Sequence, residues 1–198
     1  MFGITVKGIT ISNEQLAYAQ KRLQQAGLGE RADIAFTDYR DVTGHFDHIV
    51  SIEMIEAVGE DHWPTYFATL RERLKTGGSA VVQAITIREQ DFELYRKRPD
   101  FIQRYIFPGG MLPTPSILKQ QAEAAGLKFE TVHVFGQSYA ETLRVWRERF
   151  FQAWPQIATL GFDDRFKRMG EYYLTYCEVA FERGYTDVGI YRFRRVGE

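Results

Sequence analysis

The sequence predicts an α/β domain built on a largely parallel sheet, and three observations carry that expectation. Short β-branched runs at Ile4 to Ile11, Asp33 to Phe36, Asp47 to Ile52 and Ser79 to Ile87 alternate with amphipathic helical stretches. The run Ser79 to Ile87 is nearly all apolar, the pattern of a strand covered on both faces of a sheet. The chain has 198 residues and is 44% hydrophobic, which suits one core in a single domain over residues 1–198.

The elements follow in order. Ile4, Val6, Ile9 and Ile11 give the first strand its β-branched residues, with Gly3 and Gly8 among them. Ser12-Asn13-Glu14-Gln15 matches a capping box. Ser12 is placed to accept from a backbone N–H and Gln15 to reach back to the cap. The helix that follows should bury Leu16, Ala19, Leu23 and Ala26 and stop at Gly27. Asp33 to Phe36 and Asp47 to Ile52 read as the next two strands. Asp61 to Leu74 carries Trp63, Phe67, Leu70 and Leu74 at helical spacing, and Lys75-Thr76-Gly77-Gly78 should close that helix with a turn before the strand Ser79 to Ile87. From Arg88 to Gly126 the prolines and glycines of Phe107-Pro108-Gly109-Gly110-Met111-Leu112-Pro113 interrupt charged helical stretches, the pattern of an inserted helical lid. Leu127 to Phe135 reads as a strand. Two amphipathic helices follow, one with Leu143, Trp146, Phe150 and Trp154, the other with Phe166, Met169, Tyr173 and Cys177, and a strand at Asp187 to Arg194 ends the fold.

Composition excludes several classes of function. Twenty-five Lys and Arg against 26 Asp and Glu leave a net charge of −1, without the basic field of a nucleic-acid binder. The longest nearly apolar run, Ala80 to Ile87, is far short of the ~20 residues that span a bilayer, and no export signal is legible. A soluble, cytoplasmic protein is expected. The single cysteine, Cys177, forms no internal disulfide, and His45, His48, His62 and His133 show no metal-ligand spacing, so no metal is expected.

In open α/β sheets ligands bind beyond the carboxyl ends of the strands. Three places there carry chemistry: Thr10, Ser12 and Gln15; then Asp38, Tyr39 and Arg40; then Glu53 and Glu56. Gln83 interrupts an otherwise apolar strand and needs partners if buried. Each has a plainer reading: Ser12 and Gln15 as a cap, Glu56 as a solvated carboxylate at a helix start, Gln83 as part of a structural network, Tyr139 as a packing partner of Trp146.

Beside these readings stands a set of ordered motifs. Gly8-Ile9-Thr10-Ile11-Ser12 with Gln15, Asp38-Tyr39-Arg40-Asp41 and Phe46 to Gly59 are followed by Tyr105 to Pro113, Phe135-Gly136-Gln137-Ser138-Tyr139 and Ala153 to Ile157. Together they resemble the cyclopropane-fatty-acyl-phospholipid synthase family along almost the whole chain. The resemblance implies a Rossmann-like class I methyltransferase sheet. It also implies S-adenosylmethionine as cofactor and transfer of a one-carbon bridge to the double bond of an unsaturated phospholipid acyl chain. It places Thr10, Ser12, Gln15, Asp38, Tyr39, Arg40 and Ile52 toward the cofactor. Glu56 and Tyr139 are similar to the family's glutamate and tyrosine around a bound bicarbonate base, with Gln83 and Ile85 on the strand that lines it. Some members have His where this chain has Gln83.

Against the family's pattern, the first strand and its glycine-rich cofactor loop are missing before Gly8. That absence should leave a gap or force the strands at Ile4 to Ile11 and Asp47 to Ile52 to pair directly. Two alternatives therefore stay open: a non-catalytic or truncated methyltransferase-like partner, and a small-molecule N- or C-methyltransferase. The expected partners are acyl lipids, met by peripheral contact with a membrane, and either a homodimer mate or an N-terminal piece in trans.

Overall fold

In the computed structural model, which describes residues 3–197, the first strand β1 is Val6–Thr10, and it pairs in parallel with β2, Ala32–Phe36, from Val6 opposite Ala32 to Thr10 opposite Phe36. Between them runs helix α1, Asn13–Gln25. A single helical crossover is what a parallel pair requires. Leu16, Ala19 and Leu23 are half-buried and Ala26 is exposed, so the expected buried face of α1 is only partly realised. No side chain among residues 3–45 is fully buried.

The chain divides into two compact units, one ending at His45 and the other running from Phe46 onward. The second holds strands β3, Phe46–Ile52; β4, Leu74–Ile87; β5, Leu127–Val134; and β6, Thr186–Arg195, in the order β3-β4-β6-β5. Short helix α2, Ile55–Val58, and helix α3, Trp63–Arg73, connect β3 to β4, and these two strands are parallel. The other two pairings, β4 with β6 and β6 with β5, are antiparallel. β3, β4 and β5 thus run the same way and β6 runs against them, so the largely parallel sheet expected from the sequence carries one reversed strand. Two consecutive helices, α7 (Gly136–Thr159) and α8 (Asp164–Glu182), join β5 to β6. A pair of antiparallel helices returns the chain to the end of the sheet it left, so the next strand runs backward.

The expected pairing of the first strand with the third is absent among the described residues. β1 is bonded to β2 alone and β3 to β4 alone. The turn expected at Lys75-Thr76-Gly77-Gly78 is also corrected, because those residues lie within β4, whose ladder with β3 starts at Phe46 opposite Leu74 and resumes, after a register shift, at His48 opposite Ser79. The irregularity absorbs the extra residues that sequence alone reads as a turn, with Gly77 at φ +80°.

The core lies where α3 and the sheet meet. Trp63, Tyr66 and Phe67 from α3, Leu74, Ala80, Val82 and Ala84 from β4, and Tyr191 and Phe193 from β6 are buried there, while Val188 of β6 belongs to a second cluster with Ala140 and Leu143 of α7 and Leu174 and Phe181 of α8. Phe67 meets Phe193 edge to face at 5.2 Å. β4 alternates between fully and partly buried positions beyond Ser79, so only one of its faces is fully sealed. The segment from Arg88 to Gly126 is helical as expected, with α4 at Phe92–Lys97, α5 at Phe101–Tyr105 and α6 at Pro115–Ala124. Thr114 caps α6 by accepting from the Ile117 N–H, and Leu118 and Ala122 sink from it into the core. Among the described residues no helix is long and apolar enough to cross a membrane.

Candidate functional site

The residues expected near a cofactor gather at the carboxyl ends of β1 and β2, which the parallel register places side by side. The Thr37 N–H donates to the Thr10 carbonyl and ties the two ends together. Ser12 caps α1 by accepting from the Gln15 N–H at 3.2 Å. The expected capping box is only half made. Gln15 Oε1 accepts from the Thr10 hydroxyl at 2.7 Å, and that hydroxyl accepts from the Ser12 N–H. Thr10, Ser12 and Gln15 are therefore one small network. Beyond β2, Asp38 caps a tight turn of three residues and receives a two-pronged bond from Arg40, with Nε at 2.9 Å and Nη2 at 2.7 Å. The guanidinium holds the Asp38 carboxyl down to about 2. It also lies 5.9 Å from the centre of the Tyr39 ring, whose ionisation is pushed up chiefly by burial. Hydroxyl, amide and carboxylate thus stand together on loops that follow adjacent strands.

The residues expected to be catalytic meet in the second unit, and the reason is where β3 stops. Its ladder with β4 ends at Ile52 opposite Gln83, extended by the Glu53 N–H donating to the Gln83 carbonyl at 2.9 Å. The side chain of Ile52 itself stays exposed. β4 continues past this point without a strand on that side, so its Ile85 and Ile87 N–H groups must find other acceptors. Ile87 donates to the Pro113 carbonyl, and Ile85 donates to Glu56 Oε1 at 2.6 Å. The carboxylate of Glu56 does the work of the missing strand.

Glu56 sits on α2, whose Ile55 is fully buried and accepts from Trp63 Nε1 through its carbonyl. The second oxygen, Oε2, is buried without a hydrogen-bond partner. Burial raises the Glu56 carboxyl to about 7, against the opposing pull of the Ile85 N–H. The reading of Glu56 as a solvated carboxylate is thereby set aside. The Phe107 to Pro113 segment closes on the same turn, since the Met111 N–H donates to the Glu56 carbonyl at 2.8 Å. Gly110 permits that approach: a Cβ there would lie 3.0 Å from the Phe107 carbonyl oxygen and 3.6 Å from that of Glu56.

Tyr139 arrives from the first turns of α7. The start of that helix is anchored by Asp187 of β6, whose Oδ1 accepts from the Gly136 and Val188 N–H groups at 2.9 and 2.8 Å. The Tyr139 ring packs against Phe135 and Phe181, not against Trp146, which is 55% exposed. Its hydroxyl donates to Glu53 Oε1, and Gln83 Nε2 donates both to that hydroxyl at 2.7 Å and to Glu53 Oε1 at 2.8 Å. Gln83 is thus a member of the site's polar network. Burial first, and the Glu53 carboxylate second, push the Tyr139 phenol far above its ordinary value. Glu53 has φ +49°, the single non-glycine residue with positive φ among the described residues, at a cost of roughly 1–2 kcal/mol. Sequence reasoning noticed Glu53 but left it outside the site; its strain and its bond to Tyr139 are visible only in three dimensions.

The result is a buried carboxyl that exchanges its proton near neutral pH, with one oxygen free, beside a phenol held by an amide and a second carboxylate. Such a group can take or hold a proton at physiological pH. Among the described residues no group of three or more His, Cys, Asp or Glu is arranged to hold a metal ion.

The sequence matches the mycolic acid cyclopropane synthetase family over residues 1–191. It is 46% identical over 187 residues to the tuberculostearic acid methyltransferase UfaA1 of Mycobacterium tuberculosis, covering 94% of this chain and 44% of that protein. It is 39% identical over 180 residues to the cyclopropane-fatty-acyl-phospholipid synthase of Escherichia coli, covering 91% of this chain and 44% of that one. The chain therefore spans less than half the length of these relatives. Among solved structures, mycolic acid cyclopropane synthase CmaA1 complexed with SAH and CTAB superposes with a TM-score of 0.82 at 25% identity, over 96% of this chain and 69% of that one. The cyclopropane synthase MmaA2 from M. tuberculosis shares the fold, with a TM-score of 0.85 at 24% identity. Its α/β fold is that of the class I methyltransferases, and the chain belongs to the mycolic acid cyclopropane synthetase family.

Proposed function

We propose that this chain carries the reacting half of an S-adenosylmethionine-dependent lipid methyltransferase, which adds a one-carbon unit to the double bond of an unsaturated phospholipid acyl chain. The observation that carries the reading is Glu56, buried, raised to about 7, and holding one oxygen without a partner in a family member.

The donor set at the ends of β1 and β2 fits the cofactor. Asp38 keeps its charge throughout the physiological range, and Gln15 and Thr10 offer amide and hydroxyl groups of the kind that bind a ribose and an amino-acid moiety. Tyr39 offers a ring face to an adenine. When bound, S-adenosylmethionine supplies an electrophilic methyl group. Ser12 and Arg40 act through Gln15 and Asp38, which they hold in place. In the second unit the unpartnered Glu56 Oε2 fits a small protonated oxyanion such as bicarbonate, with Gln83 and Tyr139 as its other neighbours and the Ile85 N–H fixing the opposite oxygen of Glu56. Bicarbonate there would supply a base. Glu56 holds or accepts a proton at Oε2, and the phenol of Tyr139 stays protonated. A substrate embedded in a bilayer would be reached by peripheral contact.

Isothermal calorimetry with S-adenosylmethionine tests the cofactor half. A saturating heat supports it, and no heat at millimolar cofactor overturns it for this chain. Mass spectrometry of lipids from cells making the protein tests the substrate. Acyl chains heavier by one carbon unit support the proposal, and unchanged acyl chains beside a methylated amine overturn it.

A further inference from the structure

We propose that Glu53 is a positioning residue for Tyr139, fixing the phenol as a proton-bearing group whose hydrogen is committed to the Glu53 carboxylate. Three observations converge. The backbone of Glu53 takes a left-handed conformation that only this residue adopts among the described non-glycine residues, and its exposed side chain gives no core packing in return. Strain held at an exposed position is a mark of local function. The side chain so directed closes a triangle. Gln83 Nε2 donates to both Glu53 Oε1 and Tyr139 Oη, and Tyr139 Oη donates to the same Glu53 oxygen. The three corners come from the end of β3, the middle of β4 and the start of α7, three elements that are distant in sequence.

The chemistry follows from the donor inventory. A phenol has one hydrogen, and here it goes to Glu53; the phenol oxygen in turn receives the Gln83 amide. The amide is neutral at every pH, so Glu53 is the one group of the triangle able to hold the Tyr139 proton by charge. Glu56 faces the phenol from the turn after Glu53, and Tyr173 and Cys177 of α8 pack into the same cluster. With Tyr139 locked, the proton that moves near neutral pH is that of Glu56. That this division serves methyl transfer rests on the reading above, whereas the pairing of Glu53 with Tyr139 does not.

The test compares the parent chain with Glu53→Gln and Glu53→Gly, each also made with Tyr139→Phe so that subtraction isolates the Tyr139 phenolate absorbance in a pH titration. Glutamine keeps the size and removes the charge. Glycine accepts the left-handed backbone freely and so keeps the experiment decisive if the glutamine variant folds poorly. Both are expected to let Tyr139 ionise at lower pH than in the parent. Carbon-13 NMR of the Glu56 carboxyl should show its midpoint, about 7 in the parent, moving down when the neighbouring negative charge is removed. The glycine variant is expected to be no less resistant to urea than the parent. A Tyr139 midpoint unchanged or raised in both variants overturns the proposal. Loss of urea resistance in Glu53→Gly overturns it also, since Glu53 would then be serving the fold. None of these readings depends on turnover, so absence of cofactor binding would sink the proposed function and leave this inference standing.

Discussion

Replacing Glu56 by Gln isolates the cost of burying a titrating carboxyl. In the unfolded chain this group ionises near 4.5, whereas in the fold it keeps its proton until about 7. The unfolded state therefore releases a proton first as pH rises, and by linkage the parent loses stability between those two values and loses no more above the upper one. The interval from 4.5 to about 7, at about 1.4 kcal/mol for each pH unit, amounts to roughly 3 kcal/mol. The amide of the variant does not titrate. It can still accept from the Ile85 N–H, and its NH2 group faces the place where Oε2 lacks a partner, a penalty that is the same at every pH. The informative quantity is the difference between the two stability curves. Urea unfolding followed by tryptophan emission, from about pH 4 to about pH 8, should show the parent falling relative to Glu56→Gln by about 3 kcal/mol, with all other carboxylates cancelling. Parallel curves for the two proteins would refute the reasoning, because Glu56 would then titrate alike in the folded and unfolded chains.

Two further substitutions probe how the site is held. Leu118→Ala removes a fully buried side chain of α6 and should cost about 2–5 kcal/mol in urea unfolding, showing that the segment after β4 belongs to the core; a loss under ~1 kcal/mol would contradict this. Gly136→Ala would place a Cβ 2.4 Å from Asp187 Oδ1 and displace the carboxylate that anchors α7, at a cost of about 1–3 kcal/mol. An unchanged unfolding midpoint would show that Asp187 can move without penalty.

Much of this architecture was legible in the residues. β-branched runs marked the strands, and Ser12 caps α1 with its side chain as local chemistry dictates. What escaped was set by distant partners. The Lys75 to Gly78 stretch has the composition of a turn, yet β4 pairs with β3 on either side of it, at Leu74 and again from Ser79, and so runs through it. The antiparallel course of β6 depends on two helices rather than on anything in its own sequence. At the site, Glu56, Gln83, Ile85 and Tyr139 were singled out by motif position, and the structure brings them together. Glu53 stands with Glu56 after the third strand in the sequence, but the motif assigns a role to Glu56 alone, and the bond of Glu53 to Tyr139 joins segments far apart in the chain. Thr10 and Gln15 were expected as neighbours, but their mutual hydrogen bond, made in place of the second half of the capping box, depends on a choice between acceptors that composition does not express.

The hydrogen bond from the Met111 N–H to the Glu56 carbonyl makes two separate stretches of sequence a single unit of inheritance. A chimera that takes the Phe107 to Met111 segment from one relative and the Ile55 to Gly59 turn from another splits a clasp in which a side chain at Gly110 would crowd the Phe107 carbonyl. Swaps of these segments between relatives will therefore succeed when both stretches travel together, and an insertion in either will be felt at the Glu56 carboxyl without touching it.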